Sequence, residues 1–163
     1  MMVGSVTVKV FNFDGLHFLD LFAGSGAVGV EALSRGAGLV EAVESNPVSA
    51  KVCEDNFSLL TGSEAVGQFK VHTKTVFEYL NHLATGSFEI IYIDPPYEVE
   101  NTEVEKILKK IFNLNLLNKF GVIAIERDAK GKTFSWPEGF SELKVRSYGA
   151  GAIHYGVLTE RNL

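Results

Sequence analysis

The sequence lacks almost everything that would fasten a chain covalently to itself or to a metal. One cysteine, Cys53, among 163 residues excludes an internal disulfide framework and any cysteine-based metal cluster, and it fits a reducing compartment. The four histidines, His17, His72, His82 and His154, show no ligand spacing, so no metal is expected. No apolar run approaches the roughly 18 residues that a membrane span needs. Met1 to Phe11 carries a lone Lys9 among alternating valines rather than a basic flank and an apolar block, so no secretion signal is expected. Positive charge is also in short supply. Fifteen Lys and Arg against twenty Asp and Glu give a net charge of −5, which argues against an unspecific polyanion binder. Repeats, low-complexity tracts and convincing linkers are missing too. The expectation is a cytoplasmic protein with no membrane partner.

What is present is core-forming material. Hydrophobic residues are 46% and charged residues 21%, so a packed core rather than disorder is expected. A chain of this length reads as one domain spanning 1–163, able to bury about two thirds of its unfolded surface. Leu16–Phe22 reads as a buried strand, followed by a glycine turn and the apolar stretch Ala27–Leu33, which Arg35-Gly36 closes. Leu39–Glu44 is a second strand. Asn46-Pro47 reads as a helix N-cap with proline at the first helical position, and Val52, Cys53, Phe57 and Leu60 follow at helical spacing. Phe69–His72 is a weaker third strand and Phe88–Ile93 a strong fourth.

Asn101 can cap a helix whose apolar stripe is Val104, Ile107, Leu108 and Ile111. Glu103 and Glu105 sit in its first turn and Lys109 and Lys110 in its last, as the helix dipole prefers. Gly121–Glu126 is a fifth strand. Ser141–Tyr148 and Ile153–Thr159 are then joined by Gly149-Ala150-Gly151 with no helix between, a hairpin signal. Alternating strands and helices with right-handed crossovers give a Rossmann-like, doubly wound α/β sheet, mostly parallel, ending in an antiparallel pair. Ligands bind such sheets at the carboxyl ends of the strands.

Two strand ends carry the chemistry. At the first, Asp20-Leu21-Phe22-Ala23-Gly24-Ser25-Gly26 turns sharply into a helix whose amides face a ligand. Glu44 ends the second strand twenty positions after Gly24, where a carboxylate can accept bonds from both ribose hydroxyls. Gly24-x-Gly26-x-x-Gly29 also matches a dinucleotide fingerprint, and a glycine turn for close packing alone is the plain alternative. Asp20 tilts the choice of cofactor, since a carboxylate just ahead of the glycines would repel a pyrophosphate. S-adenosylmethionine has no phosphate, and its amino and sulfonium groups are cationic. The expected cofactor is therefore S-adenosylmethionine. Asp20 could also simply bond the loop amides.

At the fourth strand end stands Asp94-Pro95-Pro96-Tyr97. Two prolines fix the backbone and remove two donors, which leaves carbonyls as acceptors. Tyr97 can stack on a flat base, while Asp94 and the Pro95 carbonyl accept the two hydrogens of an exocyclic amino group. Those bonds aim the nitrogen lone pair at the methyl group, and positioning alone can supply about 7–11 kcal/mol for an in-line transfer. The plain alternative is a strand terminator with a capping Asp.

At this point the chain resembles a known family. D-L-F-A-G-S-G-A-V-G-V-E-A-L-S-R-G-A at Asp20–Ala37, V-E-S-N-P at Val43–Pro47 and D-P-P-Y at Asp94–Tyr97 are similar to the RsmD family of small-subunit (16S) ribosomal RNA guanine-N2 methyltransferases. The resemblance runs from about Leu16 to Leu158. It implies the seven-stranded class I methyltransferase sheet. It also implies that Asp20, Phe22, Ala23, Gly24, Ser25, Gly26, Glu44, Ser45, Thr75 and Val76 hold the cofactor, and that Asp94, Pro95, Pro96 and Tyr97 carry the target base and catalysis. The D-P-P-Y motif is shared by methyltransferases acting on amino groups of adenine, cytosine and guanine, so it does not name the base.

Two departures stand out. Only about fifteen residues precede Leu16, so the family's Arg-Pro-Thr segment and leading helix are shortened here; Phe11-Asn12 marks its remnant, although Val6, Val8 and Val10 alternate as in a strand. Where the family commonly places an Asp or Asn on the adenine amino group, this chain has Thr75, a weaker acceptor, with Val76 backbone to share the task.

A DNA methyltransferase normally needs an added target-recognition domain, for which the chain has no room. Small-subunit rRNA, or the assembling small subunit, with one base flipped out is therefore the expected partner of a monomer. Arg127–Arg146 holds five bases (Arg127, Lys130, Lys132, Lys144, Arg146) against three acids, together with Phe134 and Trp136; it is the candidate RNA contact or else a solvated loop. Lys106, Lys109 and Lys110 read as the wet face of their helix, and Cys53 as a core residue. The rivals are a non-catalytic or partner-dependent cofactor- or RNA-binding module, an amino-methyltransferase of adenine or cytosine in another nucleic acid, and a nicotinamide oxidoreductase. A hydrolase built on Ser25, Asp128 and His154 fails because the G-x-S-x-G elbow is missing.

Overall fold

The computed structural model describes residues 12–60, 67–83, 86–132 and 134–160. The strands are β1 (His17–Asp20), β2 (Leu39–Glu44), β3 (Gln68–Thr73), β4 (Phe88–Ile93), β5 (Leu117–Asp128), β6 (Phe140–Tyr148) and β7 (Gly151–Leu158). The helices are α1 (Ala27–Ser34), α2 (Pro47–Ser58), α3 (Val76–His82) and α4 (Asn101–Asn113). The seven strands form one sheet in the order β3-β2-β1-β4-β5-β7-β6. The bounds of β2 and β4 are those expected from the sequence. Contacts divide the chain into two compact units, residues 1–79 and 80–163.

In the first unit β1, β2 and β3 run parallel, with Phe18 opposite Val40 and Val40 opposite Phe69. Val40, Ala42 and Val43 are fully buried, the continuous apolar run of a strand covered on both faces. Asn46 caps α2 as expected, its Oδ1 accepting from the amides of Val48 and Ser49 at 2.9 and 3.1 Å. The buried face of α2 is Ala50, Cys53 and Phe57, and Phe57 stacks on Phe69 with centroids 4.9 Å apart. Val52, assigned above to that stripe, is exposed. It lies one residue, about 100° of helix, off the line set by Cys53 and Phe57.

The short helix α3 has a signal of its own that hydrophobic spacing does not reveal. Thr75 and Glu78 form a capping box in which the Thr75 hydroxyl donates to Glu78 Oε2 at 2.9 Å and accepts from the Glu78 amide at 3.2 Å. Glu41 of β2 is a buried carboxylate; it accepts from the Tyr79 hydroxyl at 2.6 Å, with His72 Nε2 at 3.6 Å and Lys70 Nζ at 3.8 Å.

In the second unit β4 and β5 are parallel, β5 and β7 antiparallel, and β7 and β6 antiparallel. The stripe Val104, Ile107, Leu108 and Ile111 is almost fully buried along α4, as its spacing demands. Asn101 does not cap this helix. Glu100 occupies the N-cap without a side-chain bond, because the Asn101 side chain is engaged by Arg127 Nε at 3.0 Å and itself donates to the Lys132 carbonyl. β5 starts four residues before Gly121, since Leu117 pairs with Phe88 ahead of a bulge. The alternation of Val6, Val8 and Val10, and Phe11 itself, lie outside the described residues.

The aromatic part of the candidate RNA contact turns inward. Phe134 is buried and packs edge-on against Trp136 and His154. A Cβ on Gly156 would stand 2.2 Å from the Trp136 ring, so Trp136 fills the niche that this glycine leaves in β7. Its indole N–H donates to Glu142 at 3.0 Å, and His154 Nδ1 lies 3.1 Å from the same oxygen. The Phe134 ring is therefore closed to a base, and the half-buried Trp136 is held against β7.

Candidate functional site

The turn after β1 is built by three glycines with different jobs. Gly26, with φ at +81°, opens α1; a Cβ there would lie 2.6 Å from Cys53 Sγ. At Gly29 a Cβ would lie 2.8 Å from Phe57 and 2.9 Å from Val40. These two let α1 pack on its neighbours. Gly24, with φ at +55°, has nothing within 4 Å of its Cβ position. Its demand for glycine is conformational, and the space beside it is open to a ligand.

Two carboxylates flank this turn. Glu44 accepts from the Gly24 amide at 2.8 Å through Oε2 and from the Asn46 amide at 2.9 Å through Oε1. A carboxylate offers about four acceptor sites, so two amides leave capacity for ribose hydroxyls. Asp20 is buried, and its Oδ1 accepts from the Phe22 amide at 3.3 Å, the loop-bonding role considered for it above. Burial first, then Asp20 and Glu44, push the Cys53 thiol up to about 12, so that residue is an inert core group.

Ala23 is buried and Phe22 half-buried, while Ser25 and Ser45 are exposed. The Ser25 carbonyl accepts from Asn56 Nδ2 at 2.8 Å, a loop anchor that no local sequence signal marks. Thr75 has its hydroxyl proton committed to Glu78, and Val76 is buried in the first turn of α3.

The structure fits a cationic, phosphate-free cofactor here better than a dinucleotide. Beside the open Gly24 stand two carboxylates, Asp20 and Glu44, and among the described residues of this turn there is no cation to balance a pyrophosphate.

At the end of β4, Pro95 is buried while Asp94, Pro96 and Tyr97 are exposed. The Pro96 carbonyl closes a turn by accepting from the Val99 amide at 3.0 Å, which leaves the Pro95 carbonyl as the candidate acceptor. The Tyr97 ring is 89% exposed, a free aromatic plane. Although Asp94 keeps an open side to solvent, its carboxyl is pushed up to about 6, first by desolvation and then by Glu126, against the opposing pull of Arg127. A carboxylate so placed changes protonation near neutrality.

Glu126, Tyr92 and Tyr148 stand near Asp94 with no such role read for them in the sequence, and Arg127, read above as part of the candidate RNA contact, joins them. Ile93 pairs with Ile125, so the next residues, Asp94 just past β4 and Glu126 within β5, lie side by side on adjacent parallel strands. Glu126 accepts from the hydroxyls of Tyr92 at 2.5 Å and Tyr148 at 2.7 Å. Arg127 donates to the Val99 carbonyl at 2.8 Å. The available signal was that Glu126 closes the fifth strand as Glu44 closes the second. Among the described residues no group of three or more His, Cys, Asp or Glu is placed to hold a metal, and no helix is long and apolar enough to cross a membrane.

The model of the family described as Conserved hypothetical protein 95 matches residues 5–157. The chain is similar to YlbH of Bacillus subtilis, a candidate rRNA methyltransferase by its name, with 31% identity over 156 residues that cover 91% of this chain and 82% of the relative. It is similar to the ribosomal RNA small subunit methyltransferase D of Haemophilus influenzae, with 30% identity over 80% of this chain and 66% of that protein. The solved structure of yhhF from Escherichia coli, a candidate methyltransferase, superimposes with a TM-score of 0.81 at 21% identity, covering 98% of this chain and 85% of that one; at that identity the likeness speaks for the fold. The sheet order is that of the class I methyltransferase fold. The chain belongs to the Conserved hypothetical protein 95 family, the class I S-adenosylmethionine methyltransferases of RsmD and YhhF type.

Proposed function

We propose that this chain is a cytoplasmic, single-domain S-adenosylmethionine-dependent methyltransferase that methylates the exocyclic N2 of a guanine in small-subunit rRNA. The observation that carries the reading is the end of β4: an acid shifted toward neutrality beside a rigid proline pair and an open tyrosine ring. The similarity to rRNA methyltransferases supports the substrate class.

When bound, the cofactor supplies an electrophilic methyl group on a cationic sulfur. Glu44 holds the ribose hydroxyls, the open face of Gly24 lets the backbone approach, and Asp20 complements the positive charge. Tyr97 stacks on the flipped base. Asp94 and the Pro95 carbonyl accept the two amino hydrogens, which orients the nitrogen lone pair for in-line attack. Methylation would leave the amine with one proton too many, and Asp94 takes up that proton before passing it to water.

A second reading, a module that needs a partner to complete its cofactor site, draws on Thr75, whose hydroxyl oxygen already accepts from the Glu78 amide at 3.2 Å and so has one acceptor site left for an adenine amino group. The experiment is transfer of labelled methyl to unmodified small-subunit rRNA, naked and assembled, with nucleoside analysis. Label in N2-methylguanosine supports the proposal. Label in adenosine or cytidine keeps the mechanism and discards the base. No label on either substrate favours the incomplete module.

A further inference from the structure

Glu126 has no role in the mechanism above, yet the fold holds it in place with care. Register sets it beside Asp94 on the neighbouring strand, with strand spacing of about 4.8 Å. Tyr92 from β4 and Tyr148 from the β6–β7 hairpin each donate to one of its oxygens. Tyr148 is also close enough to Asp94 and Tyr97 for both to hold its hydroxyl proton more tightly, after burial and Glu126 itself. Glu126, Asp94, Tyr97 and Tyr148 are therefore one cluster, built around two carboxylates that repel each other.

A carboxylate has about four acceptor sites. The tyrosines fill two on Glu126, which is half-buried rather than sealed. Two neighbouring carboxylates call for a ligand edge with two neighbouring N–H donors. Guanine has that edge, with the ring N1–H next to the N2 amino group. Adenine and cytosine instead place a bare ring nitrogen, an acceptor, next to the amino group, and a carboxylate repels it.

Resting on the guanine reading, we propose that Glu126 selects the base: it accepts the guanine N1–H while Asp94 accepts from the N2 amino group, and Tyr92 and Tyr148 hold it in position. Sites built to bond a donor reject analogues that offer an acceptor in its place, because the carboxylate then faces a lone pair.

The test compares an rRNA fragment carrying guanine at the methylated position with the same fragment carrying 2,6-diaminopurine, which keeps the N2 amino group but has a bare N1. Wild type should favour guanine in kcat/KM by roughly 10- to 100-fold. Glu126→Gln, whose amide can donate to the bare nitrogen, should shrink that ratio about tenfold or invert it. An equal ratio in wild type and Glu126→Gln would overturn the inference while leaving the guanine-N2 activity standing. Methyl transfer to adenine or cytosine, or to no base, would overturn both. Tyr148→Phe removes one of the two hydroxyls that fix Glu126 and should lower the ratio by a smaller factor. If Glu126→Gln fails to fold, an unchanged ratio in Tyr148→Phe decides against the inference.

Discussion

The guanidinium of Arg127 donates to the carbonyl of Val99 at 2.8 Å, so β5 grips the loop that follows Asp94-Pro95-Pro96-Tyr97. A second bond, from Arg127 Nε to Asn101 at 3.0 Å, fixes the start of α4 to the same side chain. Only a planar fork makes both contacts at once. Arg127→Lys should therefore lower kcat by about tenfold or more, since small misplacements of reacting groups are costly, with the S-adenosylhomocysteine affinity nearly unchanged. Steady-state kinetics beside a cofactor titration check this.

Asp94 must be ionised to orient the amine and to receive its proton. Its carboxyl is pushed up to about 6 by desolvation and then Glu126, so turnover should hold level above that pH and fall about tenfold per unit below it. In Glu126→Gln one of the raising influences is gone, and the falling limb should move to lower pH. Initial rates between pH 5 and 8 with each protein measure the shift.

Gly26 leaves no room for a side chain, at a positive φ and 2.6 Å from Cys53 Sγ. Gly26→Ala should destabilise the fold by about 1–3 kcal/mol, the range for overpacking a filled interior. Gly24→Ala meets open space, so its smaller cost is backbone strain of about 1 kcal/mol, and its larger effect should fall on cofactor affinity. Melting curves paired with S-adenosylhomocysteine titrations separate the two positions.

The buried Glu41 gives the stability an acid limb. Its carboxyl is held below the ordinary carboxylate range, chiefly by His72, with burial opposing and the Tyr79 hydroxyl and Lys70 adding to the pull. His72 Nε2 at 3.6 Å is an electrostatic neighbour beyond hydrogen-bond length. Because the folded value is depressed, this stabilisation is complete above the unfolded value of about 4.3 and is lost as pH falls through the folded one. Glu41→Gln should lower the melting temperature at pH 7 and flatten its fall below pH 4.5.

What the sequence makes legible follows from what is local. β2 and β4 end where expected because strands covered on both faces are apolar runs bounded by polar residues. The α4 stripe and the Asn46-Pro47 cap are likewise contained within one turn or two. The misses are pairings across the fold. Trp136 reads as an exposed aromatic until Gly156, twenty positions on, is seen to leave a niche for it. Asn101 reads as a cap until Arg127 claims its side chain. Asp94 and Glu44 are visible as strand ends carrying acids, but the neighbours that set their chemistry, Glu126 above all, come from strand register. Helix α3 escaped because its seven residues are too few to show periodicity, although Thr75 and Glu78 mark its start.

The division of labour between the ends of β1 and β4 is tested most directly by one comparison in Asp94→Ala: methyl transfer to small-subunit rRNA against S-adenosylhomocysteine affinity. Transfer into N2-methylguanosine should disappear while the affinity stays within about threefold of wild type, a difference under roughly 0.7 kcal/mol. Retained transfer, or loss of transfer and cofactor binding together, would contradict that division.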